Sequence, residues 1–148
     1  MRDTSRILTN ERPRSHSSYE RNVLFKKASD LGFVVDIVPQ GSPVLGTPSN
    51  SERHYIGRCD FLSRTISISG SITDDTFIET LAHEVGHAMQ WNEMPHSVFF
   101  NDDPLEVFRI EMDAVERARS LGIDMDTNYR YNYAGYIEEL DLPSMGRS

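Results

Sequence analysis

A chain of 148 residues, 38% apolar and 26% charged, is long enough to bury a sizeable core in one domain, and its composition excludes a fibrous or wholly disordered protein. Its formal net charge of −8 repels a phosphate backbone and argues against nucleic acid as a partner. No run approaches the roughly 18 apolar residues of a membrane span, the N-terminal stretch lacks the apolar core of a secretory signal, and Cys59 alone makes neither an internal disulfide nor a cysteine zinc cluster.

These exclusions lead us to expect a cytoplasmic protein with no membrane partner. Residues 1–16 mix Arg2, Arg6, Arg12 and Arg14 with Ser and Thr and hold no apolar run, the composition of a flexible tail. The remainder, 17–148, is then a single domain. Ser17-Ser18-Tyr19-Glu20 has the S-x-x-E form of a capping box, and Tyr19, Val23, Leu24, Ala28 and Leu31 recur at threes and fours before Gly32. This predicts a helix over 18–31. The β-branched run 33–38, ended by Pro39, predicts a buried strand. Residues 40–54 collect Gly, Pro, Ser and Asn and read as a long loop.

Two strand-like runs, 55–61 and 65–69, are separated by a short polar link that suits a hairpin. Ile66 and Ile68 alternate with Thr65, Ser67 and Ser69, as on a sheet with one face against helices. After Gly70, Thr73 or the pair Asp74 and Asp75 can cap a helix that runs to residue 91 or 92. Residues 92–101 contain Pro95 and no helical period, so they read as a connection. Asp103-Pro104-Leu105-Glu106 combines a cap, a proline at the first helical position and a reciprocal Glu, and predicts a helix over 104–121 that stops at Gly122. A last helical segment over 128–140 would carry Tyr129, Tyr133, Tyr136, Ile137 and Leu140. The fold class is α+β.

The chemistry lies in His83-Glu84-Val85-Gly86-His87. In HExxH on a helix, two His four residues apart stand about one turn apart on one face and can share a Zn²⁺. The Glu between them can take a proton from zinc-activated water. Phe77, Ile78, Leu81, Ala82, Val85, Ala88 and Met89 gather on the opposite side of the helix, which predicts that the His face is the open one.

Catalytic zinc usually has three protein ligands. The candidates downstream are Glu93, His96, Glu106, Glu111 and Asp113. On the 104–121 helix, Val107, Phe108, Ala114, Val115 and Ala118 fall within about 60° of Glu111, whereas Glu106 and Asp113 fall about 140–160° away. Glu111 therefore stands at the centre of an apolar stripe, where a carboxylate needs a metal, a proton or a paired cation. Zinc explains it directly; an ion pair with Arg58 or Arg64 is the structural alternative. Glu93 occupies the third-ligand position of HExxHxxGxxH enzymes, but Gln90 stands where that pattern needs a glycine for its turn.

With His83-Glu84-Val85-Gly86-His87 followed by Glu111-Met112-Asp113-Ala114, the chain resembles the gluzincin metallopeptidases, in which an ExxA-type helix follows HExxH. Over roughly 20–121 it is most similar to the compact ImmA/IrrE-like metallo-endopeptidases. The resemblance implies a small zincin-like (minigluzincin) domain. Its parts are an N-terminal helix, about three strands with a hairpin, the HExxH helix, the glutamate helix and a C-terminal helical segment. It further implies one Zn²⁺ per chain on His83, His87 and Glu111, with Glu84 as general base and acid. A protein or peptide substrate would lie extended along the edge of the strand nearest the active-site helix, 65–69 or 55–61.

The expected function is that of a zinc-dependent endopeptidase acting on a cytoplasmic protein, with an oxyanion contact from a tyrosine of 129–136 as an open addition. The alternative is a catalytically silent, zinc-stabilised binding module that uses the same groove.

Overall fold

The computed structural model describes residues 18–45 and 56–125. Their elements are α1 (Ser18–Asp30), β1 (Val34–Val38), a 3-10 turn (Pro43–Leu45), β2 (Gly57–Asp60), β3 (Thr65–Ser69), α2 (Asp74–Glu93), a second 3-10 turn (His96–Phe100) and α3 (Pro104–Ser120). The architecture is α+β, with three helices and a small mixed sheet among the described residues. The tail 1–16, the 40–54 loop beyond Leu45, and the segment 128–140 with its tyrosines lie outside the described residues.

Helix α1 ends as its sequence predicts. Gly32 takes a φ of 85°, and the amide of Phe33 donates back to the Ala28 carbonyl at 2.9 Å, so the last turn closes through a left-handed glycine. This reversal sends the chain directly into β1. Strand β1 runs parallel to β3, while β2 and β3 form the expected antiparallel hairpin with Cys59 opposite Ile66 and Gly57 opposite Ile68. The strand order is β1-β3-β2.

That order corrects two expectations. Among the described residues β1 is an edge strand rather than a buried one, with Val34 61% and Ile37 57% exposed. A short apolar run reads alike for a central and an edge strand, because its partners lie far away in sequence. β3 is central, and its polar positions Ser67 and Ser69 are buried along with Ile66 and Ile68. Both faces of this strand are covered, so alternation does not mark a solvent side here.

Helix α2 opens on Thr73, whose Oγ1 accepts from the Thr76 amide at 3.3 Å, with Asp74 and Asp75 in the first turn. Every residue from Thr76 to Trp91 is buried, because α2 packs against α1, β2, β3 and α3. The expectation of an open His face is therefore overturned: α3 covers it. Polar residues on a helix predict a wet face only when no neighbour satisfies them. Helix α3 starts at Pro104 as expected, but Asp103 makes no side-chain cap; its amide instead donates to Asn101 Oδ1 at 2.8 Å. The core joins Cys59, Ile66 and Ile68 of the sheet to Leu81, Ala82 and Val85 of α2 and to Leu24 and Ala28 of α1. No helix among the described residues is long and apolar enough to cross a membrane.

Candidate metal centre

The centre is built where α2 and α3 touch. Gly86 faces Ala114, and a Cβ at residue 86 would stand 2.9 Å from the Ala114 carbonyl carbon and 3.1 Å from its Cα. Only glycine lets the two backbones approach this closely. Glu111 lies one turn before Ala114, and His83 and His87 flank Gly86, so the contact carries a carboxylate from one helix onto two imidazoles of the other.

The three donors converge. His83 Nε2 is 2.8 Å from Glu111 Oε1, the two His Nε2 atoms are 3.2 Å apart, and His87 Nε2 is 3.3 Å from Glu111 Oε2. Ligand atoms about 2.0–2.2 Å from a tetrahedral ion stand about 3.3–3.6 Å from one another. The separations of 3.2 and 3.3 Å match such an edge, whereas the 2.8 Å between His83 and Glu111 is a hydrogen-bond length, about 0.5 Å shorter than the edge. All three residues are buried, and they are close enough to hold a metal ion. Two imidazoles and a carboxylate form a donor set suited to a first-row transition metal.

Charge couples Glu111 to the two imidazoles. Burial pushes Glu111 up, but the charge of His87 and hydrogen bonds from His83 and His87 hold it well below the ordinary carboxylate range. Burial draws His87 down, while the Glu111 carboxylate carries it above the usual imidazole value. An ionised Glu111 thus needs a positive charge beside it, and either a proton or a metal cation provides one.

Around the triad, His87 Nδ1 lies 2.8 Å from Gln90 Oε1. Gln90 Nε2 donates to the Ile110 carbonyl at 2.7 Å and to Asp113 Oδ2 at 2.9 Å. Arg117 Nε donates to the same Asp113 oxygen at 2.7 Å, and its Nη1 reaches Glu93 Oε1, also at 2.7 Å. Nothing in helical periodicity marks Gln90, although its position three residues after His87 on one helix was a usable signal.

Glu84 is fully buried on the same turn as His83. Strand β2 passes over it without a side chain: a Cβ on Gly57 would stand 3.3 Å from Glu84 Oε2 and 2.5 Å from Thr80 Cγ2. Nearby, burial and then the charge of Glu84 push the Cys59 thiol well above its ordinary pKa.

The remaining third-ligand candidates have other partners. Glu93 pairs with Arg117 and Asp113 with Arg117 and Gln90. Glu106 pairs with Arg109 at 2.7 Å. His96 stacks on Trp91 with ring centres 3.3 Å apart and donates from Nε2 to the Trp91 carbonyl. The proposed arginine partners of Glu111 are also engaged elsewhere, Arg58 with the Val44 carbonyl and Arg64 with the Leu31 carbonyl and Asn92. Set against models of known protein families, curated proteins and solved structures, the chain matches none of them.

Proposed function

We propose that this chain is a zinc-dependent metallo-endopeptidase of gluzincin type, in a zincin-like domain, with His83, His87 and Glu111 as ligands and Glu84 as general base. The observation that carries the reading is the convergence of His83, His87 and Glu111 with Glu84 on the same turn. Two His and one Glu are one of the three-ligand sets that catalytic zinc uses.

When bound, zinc supplies Lewis acidity that lowers the pKa of water toward about 7 and polarises a carbonyl oxygen. The chain supplies the rest. The Glu84 carboxylate takes a proton from the attacking water and delivers it to the amine nitrogen as the C–N bond breaks. Gly57 leaves clearance for that carboxylate under β2. Of the two strands expected to receive an extended peptide, β3 is paired on both sides, whereas β2 pairs with β3 alone among the described residues. The free side of β2 supports it as the substrate edge of this reading, where main-chain hydrogen bonds would hold a protein or peptide.

The test uses the purified full chain with zinc quantified and an unfolded protein as substrate, its fragments read by mass spectrometry. The expected result is about one zinc per chain and a cleavage rate reduced about 10²–10⁴-fold by Glu84→Gln with zinc retained. Cleavage that survives this substitution overturns the mechanism.

One observation favours a second reading. His83, Glu84 and His87 are all 0% exposed, and closed sites are typical of structural zinc. A catalytically silent, zinc-stabilised module would show metal-dependent folding, no turnover, and partner binding indifferent to Glu84→Gln.

A further inference from the structure

Gln90 is 0% exposed, and its amide has only one workable orientation. With Nε2 toward the Ile110 carbonyl and the Asp113 carboxylate, two acceptors receive two N–H bonds at 2.7 and 2.9 Å. Flipped, the amide oxygen would meet both acceptors at those distances, which is repulsive. Oε1 must therefore face His87 Nδ1, 2.8 Å away. An acceptor at that place requires a proton on Nδ1, and the lone pair used for a metal is then the one on Nε2.

The same side chain reaches the other helix. Ile110 precedes Glu111, so the bond from Gln90 Nε2 to the Ile110 carbonyl pins the α3 backbone next to the carboxylate ligand. Asp113 is held in turn by Arg117, and Arg117 by Glu93 at the end of α2. The network leaves α2 at Gln90, crosses to α3 and returns to α2 at Glu93.

We infer that Gln90 is a positioning residue of the metal centre: its carbonyl fixes the proton on His87 Nδ1 and turns Nε2 toward the metal, while its amide registers Glu111. The inference rests on the metal-binding reading of His83, His87 and Glu111 and is independent of turnover.

The experiment compares the full-length wild type with Gln90→Met, which keeps volume but removes both hydrogen-bonding ends, and with Gln90→Glu alone or combined with Asp113→Asn. Zinc affinity is read by chelator competition where the metal-free proteins remain folded, and the His87 Nδ1–H by imidazole ¹⁵N NMR of the zinc-loaded protein. The wild type should show an exchange-protected Nδ1–H on His87. Gln90→Met should lose that protection and bind zinc about 10–100-fold more weakly. Gln90→Glu should also bind weakly, because its carboxylate faces Asp113 and the Ile110 carbonyl. Adding Asp113→Asn restores a donor to face Glu at residue 90 and should recover part of the affinity, the Ile110 carbonyl remaining opposed. A wild-type His87 with its proton on Nε2, or a Gln90→Met variant with unchanged zinc affinity, overturns the inference, as does a wild type that takes up no zinc. Zinc uptake with these changes but no cleavage in any variant sinks the peptidase reading and leaves Gln90 in its assigned role.

Discussion

Gly86 of α2 lies against the backbone of Ala114 of α3, with no room for a Cβ between them. The obstructing atoms are backbone, so they cannot rotate aside as a long side chain would. Because Gly86 sits between His83 and His87, and Ala114 one turn after Glu111, the helix spacing set here is also the spacing of the three side chains close enough to hold a metal ion.

Replacing Gly86 with Ala should therefore destabilise the fold by about 1–3 kcal/mol, the usual cost of overpacking. On an exposed helix the same change would be stabilising by up to about 1 kcal/mol. The sign thus reports the contact. Urea denaturation of the metal-free chain gives the first number, and a zinc titration should show weaker binding in the variant. A Gly86→Ala protein as stable as the wild type, with the same zinc affinity, would mean that α2 and α3 do not meet at this residue.

Much of this was legible in the sequence. The stops at Gly32 and Gly122, the Thr73 cap and the proline start of α3 are local, and local stereochemistry decides them. Glu111 was legible for a different reason: a carboxylate at the centre of an apolar stripe has few physical explanations. What periodicity missed is long-range. It took the polar face of α2 for a wet one, whereas α3 covers it and satisfies it. It took β1 for a buried strand, since strand order is a property of partners rather than of the run itself. Gln90 read as a residue ill-suited to a glycine turn, and in the structure it is the hydrogen-bond partner of His87.

Metal removal should be visible in stability. An ion that binds the folded chain alone adds about 4 kcal/mol when present at about 1,000 times its Kd. Zinc should raise the Tm of the wild type, and a chelator should reverse the rise. His87→Ala and Glu111→Ala should each abolish the zinc-dependent increment, whereas Glu84→Gln should keep it. Thermal scans with and without zinc check all four proteins. An increment that persists in Glu111→Ala would remove that residue from the ligand set.

Cys59 gives a pH dependence of known sign. Its folded-state pKa is raised by burial and by the charge of Glu84, so above the unfolded value of about 8.5 the unfolded chain releases a proton that the folded chain retains. The stabilisation is complete below that pH and declines as pH rises beyond it. In Cys59→Ala the decline should be shallower between about pH 8.5 and 10. The comparison is made as a difference between the two proteins, which cancels the other groups that titrate in that window. Thiol reagents should likewise react slowly with the native protein and quickly in denaturant. Parallel stability curves for the two proteins would contradict the raised pKa.

Gly57 separates packing from chemistry. A Cβ there would stand 2.5 Å from Thr80 Cγ2, 3.3 Å from Glu84 Oε2 and 3.4 Å from Ile68 Cδ1. Thr80 is buried and β-branched on a helix, so its methyl has little freedom to turn away. Gly57→Ala should cost about 1–3 kcal/mol. Thr80→Ser deletes the offending methyl, and in the double variant the coupling between the two sites should exceed about 1 kcal/mol, returning most of the lost stability. The added Cβ still crowds the Glu84 carboxylate from the β2 side. Under the proposed mechanism, the double variant should therefore fold and hold zinc like the wild type but cleave peptides more slowly, because the carboxylate proposed as the base is displaced by a few tenths of an ångström. Denaturation, zinc content and cleavage rate are measured on the same preparation. If all three return to wild-type values, Gly57 serves only the packing of Thr80, and its clearance over Glu84 has no part in turnover.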